Sequence, residues 1–260
     1  VNHNYYIINK LEGETPLKSL ERLRCEKGIG ESVPMTYAGR LDPMAEGLLL
    51  VLVGDECKKK DGYLGLDKEY DVEVLLGVGS DAGDVLGVVI PDSNINLRLQ
   101  DVSSELIQEK IGTLIGKRAE KYPAFSSKPI NGKPMFVHAR NGDLASFDED
   151  EIPQKEIEIY SIDFLGVEVI KQKELVETAI QRIGKVKGDF RQQEIIESWK
   201  DFNLSAANIK RFAIIKLHVN ASSGAYMRTL AQKIGELLGT KAIAWKIKRT
   251  KIGDYLLRAS

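Results

Sequence analysis

Apolar and polar positions alternate in three widely separated stretches of the chain. "YDVEVLLGVG" (Tyr70 to Gly79) sets Val72, Val74 and Leu76 on one side, and "EIEIYSIDFLGVEVI" (Glu156 to Ile170) and "FAIIKLHVNAS" (Phe212 to Ser222) repeat the two-residue period. That period predicts strands with one buried and one wetted face, which favours antiparallel pairing over a parallel βαβ array. "YYIINK" (Tyr5 to Lys10) reads as a further short strand. Helical spacing takes over in "TPLKSLERLRCEK" (Thr15 to Lys27), where Thr15 is an N-cap, Pro16 suits the first turn, and Leu17, Leu20 and Leu23 are expected on one face. The clearest helix is "AYMRTLAQKIGELLG" (Ala225 to Gly239), with Tyr226, Leu230, Ile234, Leu237 and Leu238 on its apolar face and Gly239 as its stop. Between the first strand signals, "GIGESVPMTYAG" (Gly28 to Gly39) reads as loop.

No internal repeat or low-complexity linker divides the chain, so the pattern predicts one mixed α+β domain over residues 1–260. Residues 171–211 are polar and helical in character and lie between two strand signals. They are expected to be an insertion, either peripheral decoration or a partner-binding element.

Composition changes this picture little. The chain has 260 residues, enough to bury a sizeable core, and 37 Lys+Arg against 38 Asp+Glu leave a formal net charge of -1, so bulk charge does not announce a polyanionic partner. Charge is uneven locally: "TKAIAWKIKRTK" (Thr240 to Lys251) is basic without an acid, and "FDEDE" (Phe147 to Glu151) is acidic. Cys25 and Cys57 lack the spacing of a zinc site or a disulfide framework, which fits a reducing cytoplasm. The N-terminus has no secretory pattern, and the longest apolar run, "LLLVLV" (Leu48 to Val53), is too short to span a bilayer. A soluble cytoplasmic protein is the expectation.

The candidate chemistry narrows by elimination. His3, His138 and His218 have no ligand spacing, and no GxSxG surrounds a serine. Asp81 and Asp84 in "GVGSDAGDVLG" (Gly77 to Gly87) read as a hairpin turn rather than a metal site or a phosphate cradle. Asp42 in "YAGRLDPMAEGLLLVLV" (Tyr37 to Val53) is by itself an Asp-Pro turn residue.

Its company alters that reading. "AGRLDPMAEGLLLVLVG", "DKEYDVEVLLGVGSDAGDVLG" (Asp67 to Gly87), "KYPAFSSKPINGKPMFVHARNG" (Lys121 to Gly142), "SSGAYMRTLAQKIGELLG" (Ser222 to Gly239) and "IKRTKIGDY" (Ile247 to Tyr255) occur in the order found in the TruB family of RNA pseudouridine synthases. Together with "INKLEGET" (Ile8 to Thr15), they make most of the chain resemble that family. The resemblance implies the pseudouridine synthase fold, a mixed and largely antiparallel sheet flanked by helices with an RNA-binding cleft. It implies Asp42, Tyr70 and Arg228 as catalytic residues: the reactive carboxylate, an aromatic stacked on the base, and the guanidinium that pairs with the aspartate. The substrate-binding set implied is Lys10, Tyr37, Arg40, Lys133, Ile247, Lys248 and Arg249, with Lys121 to Gly142 as a loop that grips RNA. The basic strip from Lys241 to Lys251 would meet phosphates.

These residue types suit the reaction. Isomerising uridine to pseudouridine breaks an N1–C1′ bond and rejoins the base through C5, with no net redox change, so neither cofactor nor metal is expected. A carboxylate can act as nucleophile at C6 or C1′, or as the base that starts elimination. A guanidinium holds it ionised and aimed. The target base must leave its stack for a pocket with an aromatic face and apolar walls.

The chain departs from the family pattern in two respects. Tyr37 stands where bacterial members usually carry a histidine five or six residues before the catalytic aspartate, so that, if that histidine helps extrude the base, either Tyr37 substitutes for it by stacking or extrusion works differently. No C-terminal PUA module is expected, and Lys185, Lys187, Arg191, Lys210 and Arg211 of the insertion are candidates to replace its grip. The implied partner is tRNA, through its T stem-loop, bound by a monomer. The alternative is an inactive RNA-binding or RNA-folding protein on the same scaffold; a metal-dependent enzyme built on Asp81 and Asp84 is the weaker rival.

Overall fold

The alternating stretches become neighbouring strands of one sheet. The computed structural model describes residues 4–92, 103–205 and 211–257. Its strands are β1 (Tyr5–Lys10), β2 (Met35–Ala38), β3 (Ala45–Val53), β4 (Lys68–Leu76), β5 (Val78–Ser80), β6 (Val89–Pro91), β7 (Gly116–Lys121), β8 (Pro129–Ile130), β9 (Lys133–Pro134), β10 (Gln154–Lys171), β11 (Arg211–Ala221), β12 (Ala242–Ile252) and β13 (Tyr255–Leu256). Its helices are α1 (Pro16–Lys27), α2 (Lys60–Leu64), α3 (Ser104–Gly112), α4 (Met135–Asn141), α5 (Gln172–Ile183), α6 (Gln192–Ser205) and α7 (Met227–Leu237). The nine-stranded sheet runs β1-β3-β12-β4-β11-β10-β7, with β2 beside β3 and β13 beside β12. The pairings in it are antiparallel except β3 with β12. The α+β class and the mixed, largely antiparallel sheet are therefore as the sequence implied.

Alternation sorts the central strands onto two faces. Val72, Val74 and Leu76 of β4 and Ile215, Leu217 and Val219 of β11 pack against α3 and α7 through Ile107, Ile111, Leu230 and Ile234. On the reverse face the polar residues pair with one another: Lys216 with Glu168, His218 with Asp71, Lys246 with Glu73 and Lys251 with Glu69. That wetted face does not run the whole length of the sheet. At one end Leu75, Ile214, Ile243 and Trp245 also turn away from α7, and they are buried beneath α5 and α6.

The segment 171–211 is thus no decoration. Leu175, Val176, Ala179 and Ile183 of α5 and Ile195, Trp199 and Phe202 of α6 form one buried cluster with the sheet. Trp199 is completely buried, its Nε1 donates to the carbonyl of Val85 at 3.3 Å, and its ring meets those of Phe202 and Trp245. The polar look of the segment reflects the outer faces of two amphipathic helices, which composition does not separate from a solvated loop.

Three local readings need correction. The stretch expected to be loop contains β2, which extends the sheet beside β3. Leu17 is exposed, because the stripe α1 buries is Pro16, Ser19, Leu20 and Leu23, the i, i+3, i+4, i+7 set that Leu17 misses by one position. Leu237 likewise lies at the exposed edge of α7. Thr15 caps α1 as expected, accepting from the Lys18 N–H at 3.3 Å.

Replacing Trp199 by Ala should lower unfolding stability by about 3–5 kcal/mol in urea titration, as for other fully buried tryptophans. A merely peripheral helix would lose less than about 1 kcal/mol.

Candidate active site

Asp42 sits in a four-residue turn closed by the Ala45 N–H donating to its own carbonyl at 3.0 Å, with Pro43 at the second position, where its fixed φ is an advantage. The turn is held from two sides by buried cations whose donors go to backbone carbonyls. Lys10 has no exposed surface, and its Nζ reaches the carbonyls of Leu11 at 3.0 Å, Pro43 at 3.3 Å and Ala45 at 2.5 Å. Burial pushes its pKa down to about 8. Arg249 is equally hidden, its Nε donating to Leu48 O at 2.9 Å, Nη1 to Arg40 O at 3.3 Å and Nη2 to Gly39 O at 3.2 Å.

Sheet register brings Arg249 there. The parallel pairing of β12 with β3 sets Arg249 opposite Gly47 and Ile247 opposite Ala45, while the antiparallel pairing with β4 sets Arg249 beside Tyr70. Gly47 has φ +105, and a Cβ there would lie 2.3 Å from the Arg249 carbonyl oxygen, so only glycine allows this approach.

Arg228, at the second position of α7, is 3% exposed and completes the centre. Its Nε lies 2.8 Å from Asp42 Oδ2, its Nη1 donates to Ala82 O at 2.7 Å and its Nη2 to Phe125 O at 3.2 Å. Sequence spacing put Arg228 off the apolar face of its helix. It is nevertheless buried, because a carboxylate and two carbonyls satisfy it.

The ion pair stands between two adjoining cavities of about 300 Å³ each. The first is walled by Tyr70, Ile247, Leu41, Ala45, Met227 and Tyr226, with Lys68 and Lys155 at polar points. Burial, reinforced by the Asp42 charge, pushes the Tyr226 phenol up to about 12, and burial followed by the Arg249 charge brings Lys68 down to about 8. The second holds Phe125, Phe136, Phe190, Arg40, Arg140 and the buried Asp84. Burial pushes the Asp84 carboxyl up to about 6, against the pull of Arg228.

Asp42, Tyr70, Arg228, Arg40, Ile247 and Arg249 therefore come together around the first cavity, and Arg40 borders both. Four of the expected binding residues do not line it. Lys10 is spent on the backbone behind Asp42, so it holds the turn instead of meeting a ligand. Tyr37 packs on the Leu20, Leu23, Leu49 and Val51 cluster beneath the Lys60 ammonium. Lys133 is exposed in the β8–β9 hairpin, and Lys248 is exposed on β12, opposite Asp71 and Glu46. Within the basic strip, Arg249 faces backbone, Lys246 and Lys251 pair with glutamates, and Lys241 and Lys248 are exposed. Of the insertion's cations, Lys185 pairs with Glu12 and Arg191 with Asp81, Lys187 and Arg211 are exposed, and Lys210 lies outside the described residues, as does His3.

Asp81 and Asp84 lie in the β5–β6 hairpin, as expected, and no carboxylate, histidine and cysteine group among the described residues has metal-site geometry. Sequence reasoning missed Lys68, Tyr226, Phe125 and Asp84 as parts of the site. Lys68 was accessible to it, being two residues from Tyr70 on the same face of β4; the other three arrive through long-range packing.

Comparison with known proteins agrees with this geometry. The model of the TruB family pseudouridylate synthases, N-terminal domain, matches residues 29–182. The tRNA pseudouridine synthase B of Aromatoleum aromaticum is 28% identical over 249 residues, covering 96% of this chain and 63% of the relative. That of Francisella tularensis subsp. tularensis is 26% identical over 251 residues, covering 96% and 65%. The Chloroherpeton thalassium protein of the same name is 26% identical, covering 96% and 83%. The chain thus spans somewhat less than two thirds of the length of the first two. Among solved structures, a chain of a Cbf5-Nop10-Gar1 complex shares the fold at a TM-score of 0.58 and 15% identity, covering 98% of this chain and 50% of that one. A chain of an H/ACA RNP bound to a substrate RNA containing 2'-deoxyuridine does so at 0.54 and 14%, covering 98% and 49%. With Asp42 and Tyr70 inside the matched region and the buried arginine completing the centre, the chain belongs to the TruB family of pseudouridylate synthases.

Proposed function

We propose that this protein is a cofactor-free isomerase that converts a specific uridine of structured RNA to pseudouridine, with the T-loop uridine of tRNA as its substrate, acting as a cytoplasmic monomer built on one catalytic domain. The observation that carries the reading is the Asp42–Arg228 ion pair, 2.8 Å long, set at the wall of a cavity with an aromatic and an aliphatic side. The name tRNA pseudouridine synthase B borne by the relatives supports tRNA as the substrate class.

The steps follow from what lines the cavity. A uridine turned out of its loop lays its base between the Tyr70 ring and the Ile247 side chain, where stacking and apolar contact offset the cost of unstacking. Asp42, charged against Arg228, supplies the electron pair that frees the base, at the ring, the sugar carbon or the sugar proton. The freed uracil turns within the apolar walls and C5 bonds to C1′ in place of N1; the C5 proton is then lost, N1 ends protonated, and Asp42 returns to the carboxylate it began as. Arg228 needs no movement during these steps, because its remaining nitrogens are occupied by fixed carbonyls. The segment Lys121 to Gly142 brings Phe125 and Ser126 to the first cavity and Phe136 and Arg140 to the second, so it is suited to close over RNA.

Incubation with T-stem-loop RNA and mapping of pseudouridine tests the assignment. Asp42→Asn should bind RNA as the wild type does while slowing single turnover by on the order of 10³-fold or more. Wild-type product formation by Asp42→Ala would remove that carboxylate from the chemistry. Arg228→Lys, which keeps the charge but loses the planar fork, should slow the same step about 100-fold.

Asp84 makes stability depend on pH. Its folded-state pKa of about 6 lies above its ordinary value of 3.8, so the folded chain binds the extra proton. That contribution is complete below about pH 4 and is lost as pH rises through about 6. The wild-type melting temperature minus that of Asp84→Asn should therefore fall between pH 4 and 6 and level off above 7. A difference that stays constant over this range would mean that Asp84 does not titrate there.

A further inference from the structure

Arg191 lies between α5 and α6, in the insertion and outside the stretch matched by the family model. Its φ is +61, an uncommon conformation for arginine, held by its carbonyl accepting from the Ile195 N–H at 3.0 Å. The side chain turns inward and is 18% exposed. Its Nη2 lies 2.9 Å from Asp81 Oδ2, and its guanidinium carbon is 4.8 Å from the centre of the Phe125 ring.

Those two partners belong to the two segments that hold Arg228. Phe125 itself supplies the carbonyl that Arg228 Nη2 meets, and Asp81 adjoins Ala82, whose carbonyl Nη1 meets. Asp81 is fixed in turn within the hairpin, its Oδ1 accepting from the Val88 N–H at 2.8 Å. The hairpin tip and the Phe125 loop are remote in sequence, and Arg191 bridges them with one ion pair and one cation–π contact.

We propose that Arg191 is a positioning residue for the isomerisation: it ties the β5–β6 hairpin to the Phe125 loop, so that the two carbonyls orient the Arg228 guanidinium against Asp42. A phosphate-binding role suits it less, because its charge is already met by Asp81 and most of its surface is covered. Asp189, two residues earlier, holds Arg140 of α4 at 2.6 Å, so the same loop also steadies the segment expected to close over RNA. The insertion therefore serves the active site from behind.

The kinetic half of this inference rests on the proposed activity, and a second readout does not. In single-turnover assays at saturating T-stem-loop RNA, Arg191→Ala should slow pseudouridine formation about 10- to 100-fold, with RNA Kd unchanged, as small displacements of catalytic groups do. Arg191→Lys, which keeps the charge for Asp81 but not the planar stack on Phe125, should recover only part of the loss. Asp81→Asn should add little to Arg191→Ala, since both cut the same tie. Independently of turnover, the Arg228 Nε–H resonance, identified by its absence in Arg228→Lys, should lose hydrogen-exchange protection in Arg191→Ala. Arg191→Met, which keeps most of the side chain's length, repeats the measurement if the alanine variant melts early. Unchanged Arg228 protection in both variants would overturn the proposal, and so would a weaker RNA Kd with an unchanged saturated rate, which would make Arg191 an RNA contact. A wild type that makes no pseudouridine would refute the proposed function while leaving the exchange result to judge Arg191.

Discussion

A buried guanidinium must have its charge and its N–H groups compensated, and Arg228 draws on one carboxylate 2.8 Å from its Nε and on two backbone carbonyls that accept from Nη1 and Nη2. Everything around the centre serves this arrangement. The carboxylate comes from the turn before β3, one carbonyl from the β5–β6 hairpin and the other from the loop before β8. Three segments distant in the chain are thereby fixed relative to one side chain on α7. Loss of the carboxylate leaves a charge buried without its partner, at a cost of several kcal/mol, and loss of either carbonyl leaves a buried N–H unpaired, at about 1–3 kcal/mol.

The same device recurs around the turn that carries Asp42. Lys10 and Arg249 are buried, yet among the described residues they form no ion pair and bind carbonyls of residues 39 to 48 instead. Such contacts fix the backbone of the turn, and Lys10 in addition feels the Asp42 charge. The depressed pKa of Lys10 shows the desolvation cost of holding a cation there. Strand register makes the arrangement reproducible, since slipping β12 by one residue would turn Arg249 to the opposite face of the sheet.

The segment that carries α5 and α6 extends this logic from polar contacts to packing. Its helices bury Trp199 against Trp245, which precedes Ile247 on β12, and its connecting loop sets Arg191 behind the carbonyls that hold Arg228. A segment whose composition looks detachable is bound into the sheet and the hairpin alike. The aromatic edge contacts and the burial of α5 and α6 make it part of the body that gives the site its rigidity.

The amino-acid order alone determined the strands that alternate, the helix before the glycine-rich stretch, the α+β class, and the ordered motifs that made Asp42, Tyr70 and Arg228 stand out. These depend on local periodicity and on residue identity, which a linear string records directly. Tertiary structure alone decided that Lys10 and Arg249 grip backbone, that Tyr37 and Lys248 lie away from the cavity, and that Asp84 and Tyr226 belong to the site. A cation's partner is whatever the sheet register and helix packing bring within about 3 Å, and that distance is a property of the fold rather than of the neighbours in sequence.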